Sequence, residues 1–197
     1  WNFNSGSDSF GYLANGESLR LTYILRVTDS AGMSNDQTIT IAITGSNSIP
    51  LIDLNGNLAG QDTTTSYSAQ ANQTPITGLS TAIEDVDDAF IESALITLTN
   101  GKTGDLLRAG ILPTGITVDV ANSTATTIRL QGTASRLVYA QALQSISFLN
   151  TLAAPDTSNR VIHVSVHDGD GNSNIASTIV QVIGVDSIIP VGGKIVE

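Results

Sequence analysis

Residues 82 to 90 read AIEDVDDAF and set four carboxylates, Glu84, Asp85, Asp87 and Asp88, within five consecutive positions. Like charges this close repel one another and disfavour a compact chain unless something neutralises them. The sequence supplies nothing nearby, because none of its 8 Lys and Arg residues lies between Arg26 and Lys102. Calcium takes six to eight hard oxygen ligands at about 2.4 Å, and a dense carboxylate loop offers such oxygens. In an extended segment residues i and i+2 point the same way at about 7 Å. Asp85 and Asp87 are therefore expected to converge on one ion, with Glu84 beside them.

The rest of the composition narrows the partners. The chain has 197 residues and a net charge of −10, from 18 acidic and 8 basic side chains. Such a surface argues against a nucleic-acid groove or an anionic membrane as partner. Cysteine is absent, so neither disulfides nor thiol chemistry is available, and the compartment stays open on that ground. No apolar run approaches the roughly 20 residues that span a bilayer, so no membrane insertion is expected. The chain opens on Trp1 without a signal peptide, and is expected to be an excised portion of something longer.

The elements that would position the acids are strands. "RLTYILRV" (20 to 27), "QTITIAIT" (37 to 44), "VIHVSVH" (161 to 167) and "STIVQVI" (177 to 183) alternate with period two and are rich in β-branched residues. That is the pattern of strands with one buried face. Only "SRLVYAQALQS" (135 to 145) has helical spacing, through Leu137, Ala140 and Leu143 with Val138 and Ala142. The expected class is all-β, with one short helix.

A self-comparison locates the modules. Displaced by 139 positions and without a gap, residues 13 to 49 fall on residues 152 to 188. Leu13 meets Leu152, Asp29 meets Asp168, Gly32 meets Gly171, Asn35 meets Asn174 and Gly45 meets Gly184. Tyr23, Leu25 and Val27 meet Ile162, Val164 and Val166. Two tandem modules follow: an incomplete one over 1–48, a complete one over 49–187, and the start of a further linker or module over 188–197. Pro50 suits the linker, since it fixes φ and donates no hydrogen bond. The first module has about 48 residues, where a sandwich needs about seven strands, so its opening strands are expected to lie elsewhere and its exposed apolar surface to lean on a neighbour.

Each module should end in an antiparallel hairpin with arms of about 34 Å. Glu17 then lies near Asn47 at one pole, with Asp29 in the loop at the other. By the repeat, Asp156 lies near Asp186 and Asp168 sits at the opposite pole. The second module should leave the linker along "LIDL" and return through "TTSYSAQ" to "PITGL", bringing the acidic loop back to the entry pole. Asp85, Asp87 and Asp168 are thus expected to meet Asn47 and Glu17 around calcium. Asp29, Asp156 and Asp186 are weaker candidates at other junctions.

At these residues the chain resembles a known family. "YLANGESLRLTYILRVTDSAGMSNDQTITIAITGSNSIP" resembles the C-terminal half of a VCBS or bacterial cadherin-like repeat. "IEDVDDAFIESALITLTN", "LPTGITV", "SRLVYAQALQSISFLN" and "VIHVSVHDGDGNSN" resemble the larger cadherin-like repeats of giant bacterial RTX adhesins. The resemblance implies tandem Ig-like (cadherin-like) β-sandwich modules in a secreted or surface-anchored adhesin, stiffened by Ca2+ at their junctions. It matches Asp85 and Asp87 to the Asp-x-Asp loop, Asp168 to the Thr-Asp-x-Gly aspartate, Glu17 to the acid at the base of the preceding module and Asn47 to the linker asparagine. The family's Asn-Asp linker pair is Asn47-Ser48 here, and Asp186-Ser187 at the second junction, so each junction lacks one carboxylate.

Competing readings of the same residues are blander. Asp and Asn are common in loops, and the cluster could be a solvated turn; density, repeat register and resemblance together favour calcium. "DGDGNSN" (168 to 174) lacks the offsets of an EF-hand, leaving Asp168 as a ligand and Asp170 as a turn residue. His163 and His167 stand about 13 Å apart on a strand, too far for one ion, and belong on a polar face. Trp1 and Phe3 alternate as a strand would and read as core or staple residues. No Ser-His-Asp order or nucleophile elbow is present, so no enzymatic activity is expected. The expected function is that of an extender pair, whose partners are the neighbouring modules of the same chain, in a cell-adhesion or biofilm protein. The alternative is a module pair that itself binds a glycan, a surface protein or a like module.

Overall fold

The computed structural model describes residues 2–56, 58–69 and 71–184. Asp186, and the whole of the expected 188–197 segment, lie outside the described residues, as does Trp1.

The first module is a single antiparallel hairpin. β1 (Ser18–Thr28) and β2 (Ser34–Thr44) pair along their full length, from Ser18 opposite Thr44 to Thr28 opposite Ser34. Leu19, Leu21, Tyr23, Leu25 and Val27 share one face with Ile39, Ile41 and Ile43; the other carries Arg20, Thr22, Arg26, Thr38 and Thr40. The exposed polar face is held by an Arg26–Asp36 pair at 2.7 Å.

The second module is a two-sheet sandwich, so the class is all-β with one short helix, as expected. After the buried Pro50 come β3 (Leu51–Asp53), β4 (Thr63–Ser68), β5 (Thr74–Pro75), β6 (Ala82–Glu84), β7 (Phe90–Leu98), β8 (Asp105–Ala109), β9 (Thr117–Val118) and β10 (Thr127–Ser135). The helix α1 (Arg136–Gln144) follows, then β11 (Ile146–Asn150), β12 (Arg160–His167) and β13 (Ala176–Ile183). One sheet has the order β4-β13-β12-β7-β10-β9, the other β5-β11-β8, and β3 pairs with β6. β12 alternates buried and half-buried positions throughout, whereas all five residues of β11 are buried. Tyr67 and Phe148 meet edge-to-face at 5.2 Å across the layers, and Thr178 donates to the Ile76 carbonyl at 2.8 Å. Ile96, Leu130, Ile146, Ile162, Val164 and Val180 fill the core between them.

The helix begins where Ser135 accepts from the Val138 amide. It buries Tyr139, Ala140, Ala142 and Leu143. Leu137, read as part of the apolar stripe, is exposed instead, because the tyrosine takes the inward face and donates to the Gly132 carbonyl at 2.6 Å. Gly132 lies in a β-bulge of β10 with φ of 119°. A Cβ there would sit 2.1 Å from the Gly115 carbonyl oxygen, so no other residue fits.

The path to the acidic loop differs from expectation in one leg. Residues 64–68 of "TTSYSAQ" lie in β4, which runs parallel to β13 and so leads away from the entry pole rather than back. The return is made by residues 74 to 84, ending in β6 antiparallel to β3 with Leu51 opposite Glu84. The destination is the same: Asp85 emerges beside the linker.

One buried charge pair anchors the far end of the sandwich. Arg160 Nε donates to Asp105 Oδ2 at 2.6 Å, with both side chains fully buried. Its remaining donors reach the Asp156 and Ser158 carbonyls, and Asn150 Nδ2 donates to Asp105 Oδ1 at 2.7 Å. Every polar group is answered, as a buried pair requires. Asp105→Ala would strand the guanidinium, and is expected to destabilise the sandwich by about 3–5 kcal/mol in urea unfolding; a loss near zero would show that Arg160 escapes to water.

Candidate metal centre

Three segments meet at the junction. The linker 45–50 passes between the base of the hairpin and the sandwich; the loop 85–89 joins β6 to β7; the loop 168–175 joins β12 to β13. They are pinned by backbone-directed bonds. Asn174 accepts from the Ile52 amide at 2.8 Å and donates to the Ile52 carbonyl at 3.0 Å. Gly171 lies so close to the linker that a Cβ would meet Ile49 Cγ2 at 2.9 Å and Asn47 Nδ2 at 3.0 Å. At the base of the first module Glu17 accepts from the Ala14 amide, and its carbonyl accepts from Gly45.

Each loop folds around an aspartate. Asp85 Oδ1 accepts from the amides of Asp87 and Asp88 at 3.2 and 3.1 Å. Asp168 Oδ1 accepts from those of Asp170 and Gly171 at 2.7 and 2.6 Å. The segment after Asp85 is therefore a turn, not the extended stretch expected, and it brings Asp88 as well as Asp87 up to Asp85. Asp85, Asp88 and Asp168 each bring a carboxylate oxygen within 4.8 Å of the other two. Two oxygens on opposite sides of a calcium ion lie about 4.8 Å apart, so the spacing suits one ion.

Asp87 stays attached to this group. One of its oxygens accepts from the Ser48 amide at 2.9 Å, while its carboxylate presses on Asp85. Asn47 donates to Asp168 Oδ2 at 3.1 Å. Three oxygens in this group, Asn47 Oδ1, Asp85 Oδ2 and Asp87 Oδ1, are shut off from solvent without a hydrogen-bond partner. A buried acceptor left unsatisfied costs roughly 1–3 kcal/mol, and three in adjoining loops need a common explanation. Among the described residues no lysine or arginine pairs with these carboxylates. Arg136 is near, but donates to the Asp85 backbone carbonyl.

The electrostatics register the same deficit. Burial pushes the Asp85 carboxyl above the ordinary carboxylate range, and contact with Asp87 pushes it further. Burial also raises Asp88, followed by repulsion from Asp87, Asp168, Asp170 and Glu17. Asp168, only 8% exposed, is pushed up by burial, but the amides of Gly171 and Asp170 and the Asn47 side chain more than offset this and hold it below that range.

Of the residues singled out in the sequence, Asp85 and Asp168 stand in the triad, Asp87 and Asn47 adjoin it, and Glu17 is close enough to repel Asp88. Glu84 is not brought in: it is exposed and faces a groove of about 790 Å³ lined by Ile49, Leu51, Arg136 and Leu137. Asp29 closes the β1–β2 loop by accepting from the amides of Ala31 and Met33. Asp156 is engaged by Ser158 and Arg160. His163 and His167 lie half-buried on the outer face of β12. Asp88 was visible in the quoted cluster, but the i, i+2 rule for extended chain passed over it. Asp170 accepts from Asn15 Nδ2 at 3.2 Å, so this turn residue also links the two modules.

No protein-family model matches the chain, and no curated protein is significantly similar to it.

The shifts set the pH dependence of the metal-free protein. Asp85 and Asp88 have native pKa values above their unfolded ones, so the native state holds more protons between the two values. Their contribution to stability therefore rises as pH falls through that window, to about 4. Asp168 runs the other way, its contribution being lost below the ordinary carboxylate range. Asp88→Asn is expected to raise the melting temperature in chelator at pH 7 and to flatten the gain that wild type shows on mild acidification. A lower melting temperature for the variant in chelator would contradict the repulsion described.

Proposed function

We propose that the chain is a calcium-rigidified pair of β-sandwich modules from a bacterial cell-surface adhesin of the RTX type. Its role is structural: an extracellular extender that projects a ligand-binding domain in cell adhesion or biofilm formation, without catalysis. The observation that carries the reading is the Asp85–Asp88–Asp168 triad within 4.8 Å, bordered by three buried oxygens that accept from nothing. The motifs that resemble VCBS and cadherin-like repeats supply the biological setting.

The chemistry of the donors selects the ion. Carboxylates and an amide oxygen are hard ligands, and nitrogen or sulfur donors are absent from the cluster, which favours calcium over zinc or copper. Asp85, Asp88 and Asp168 would hold the ion, with Asp87 and Asn47 beside them. Three carboxylates at this spacing repel by about 1 kcal/mol per pair even with the full screening of water, and by more where water is partly excluded. A divalent cation turns that repulsion into attraction. Because Asn47 belongs to the linker and Asp168 to the sandwich, the same ion would replace a swivel with a clamp. Extracellular modules bind calcium with Kd of about 10⁻⁴ to 10⁻³ M, in reach of calcium outside cells.

Binding only the native state stabilises it by about 2.7 kcal/mol at a hundredfold excess over Kd. Millimolar calcium is expected to raise the melting temperature and narrow the interdomain distance distribution in scattering, and chelator to reverse both. Asp85→Asn with Asp88→Asn should abolish the response. Identical melting and scattering of wild type in calcium and in chelator would sink the proposal, and magnesium acting as well as calcium would reassign the ion.

A further inference from the structure

Three Asn-Gly pairs stand in the chain: Asn15–Gly16, Asn55–Gly56 and Asn100–Gly101. Asparagine is among the chemically labile residues, and this pairing is its most labile form. Glycine carries no side chain to shield its backbone nitrogen, and that nitrogen is placed to attack Cγ of the asparagine before it. The sequence makes the three pairs equivalent. The fold does not.

Two of them are locked. Asn55 Nδ2 donates to the Ala59 and Asp62 carbonyls at 3.3 and 2.8 Å, while the Gly56 amide donates to Asp53 Oδ1 at 2.9 Å. Asn100 is tied to the start of β12. Its Nδ2 donates to the Asn159 carbonyl at 3.0 Å, and its Oδ1 accepts from the Val161 amide at 2.7 Å. Asn15 and Gly16 are instead the central pair of an exposed turn, closed by the Glu17 amide donating to the Ala14 carbonyl at 3.0 Å. The Gly16 amide donates to nothing among the described residues. No atom beyond its chain neighbours comes within 4 Å of a Cβ built on Gly16. One bond restrains Asn15, from Nδ2 to Oδ1 of the exposed Asp170 at 3.2 Å.

We propose that Asn15–Gly16 is a site of spontaneous deamidation, and that its product adds a carboxylate to the junction between the two modules. The Gly16 nitrogen forms the new bond to Asn15 Cγ. The Cγ–Nδ2 bond breaks, and ammonia leaves with the proton that Gly16 gives up. Water, the one co-reactant, then opens the cyclic imide at either carbonyl to give aspartate or isoaspartate. Either product turns the Asn15 donor into an acceptor beside Asp170, which together with Glu17 already repels Asp88. Isoaspartate also adds a methylene to the backbone of this turn, whose Ala14 carbonyl lies so close to Gly45 that a Cβ there would come within 2.3 Å. The reaction thus replaces one link between the modules with a repulsion.

The test ages the full chain at neutral pH in chelator, so that it is independent of calcium at the junction, and follows each pair by peptide mass spectrometry. Asn15 is expected to gain one mass unit at least about tenfold faster than Asn55 or Asn100, since a locked pair reacts only in its opened fraction. Urea should bring the three rates together. Asn15 reacting no faster than the locked pairs in the native chain overturns the assignment, and a preference that persists in urea overturns its structural basis. Asn15→Asp is expected to broaden the interdomain distance distribution in chelator relative to wild type. Adding Asp170→Asn, which restores a donor opposite an acceptor, should narrow it again. An Asn15→Asp chain that scatters as wild type does, or one that Asp170→Asn fails to rescue, overturns the effect on the junction.

Discussion

The junction depends on carboxylate oxygens withdrawn from water and given too few donors. Asp85 and Asp168 each spend one oxygen on two backbone amides, which shapes their loops and aims the other oxygen inward. That use of the side chain fixes geometry without neutralising charge. The amides of the turn, the Asn47 side chain and the Ser48 amide all donate into the cluster, yet none carries a formal positive charge. Asp85 and Asp88 consequently sit above their ordinary range. A bound proton or a bound cation would relieve such a site.

The linker makes this local imbalance a property of the whole assembly. Asn47 and Ser48 touch Asp168 and Asp87, Gly171 admits the linker at van der Waals distance, and Asn15 reaches Asp170. The two modules are therefore joined through polar contacts around acids. Interfaces of that kind respond to charge, because each contact involves a carboxylate or the amide that serves it.

The two hairpins offer an internal control on what holds strands together. Their sequences share a period-two alternation, and their registers are identical, so pairing is encoded within about 30 residues. Burial is not. β12 and β13 gain it from β7 and β4, distant in sequence, and from the β11 sheet, while β1 and β2 have no such neighbours among the described residues. The buried Arg160 makes the same point: its counterpart under the repeat is Leu21, and only the arrival of Asp105 from another strand makes a charge tolerable at that inward position.

The amino-acid sequence by itself determined the β class, the single helix near 135–145, the two hairpins and their repeat, and the pole at which Asp85, Asp168 and Asn47 assemble. These follow from periodicity and from chain direction, which are local or nearly so. Which acids face one another was decided by tertiary structure. Asp88 enters the triad because Asp85 captures two amides and bends the loop, and Glu84 stays out because β6 pairs it beside Leu51 on the exposed side. Side-chain direction in an irregular turn depends on hydrogen bonds that no spacing rule contains, and so do the three buried oxygens that accept from nothing.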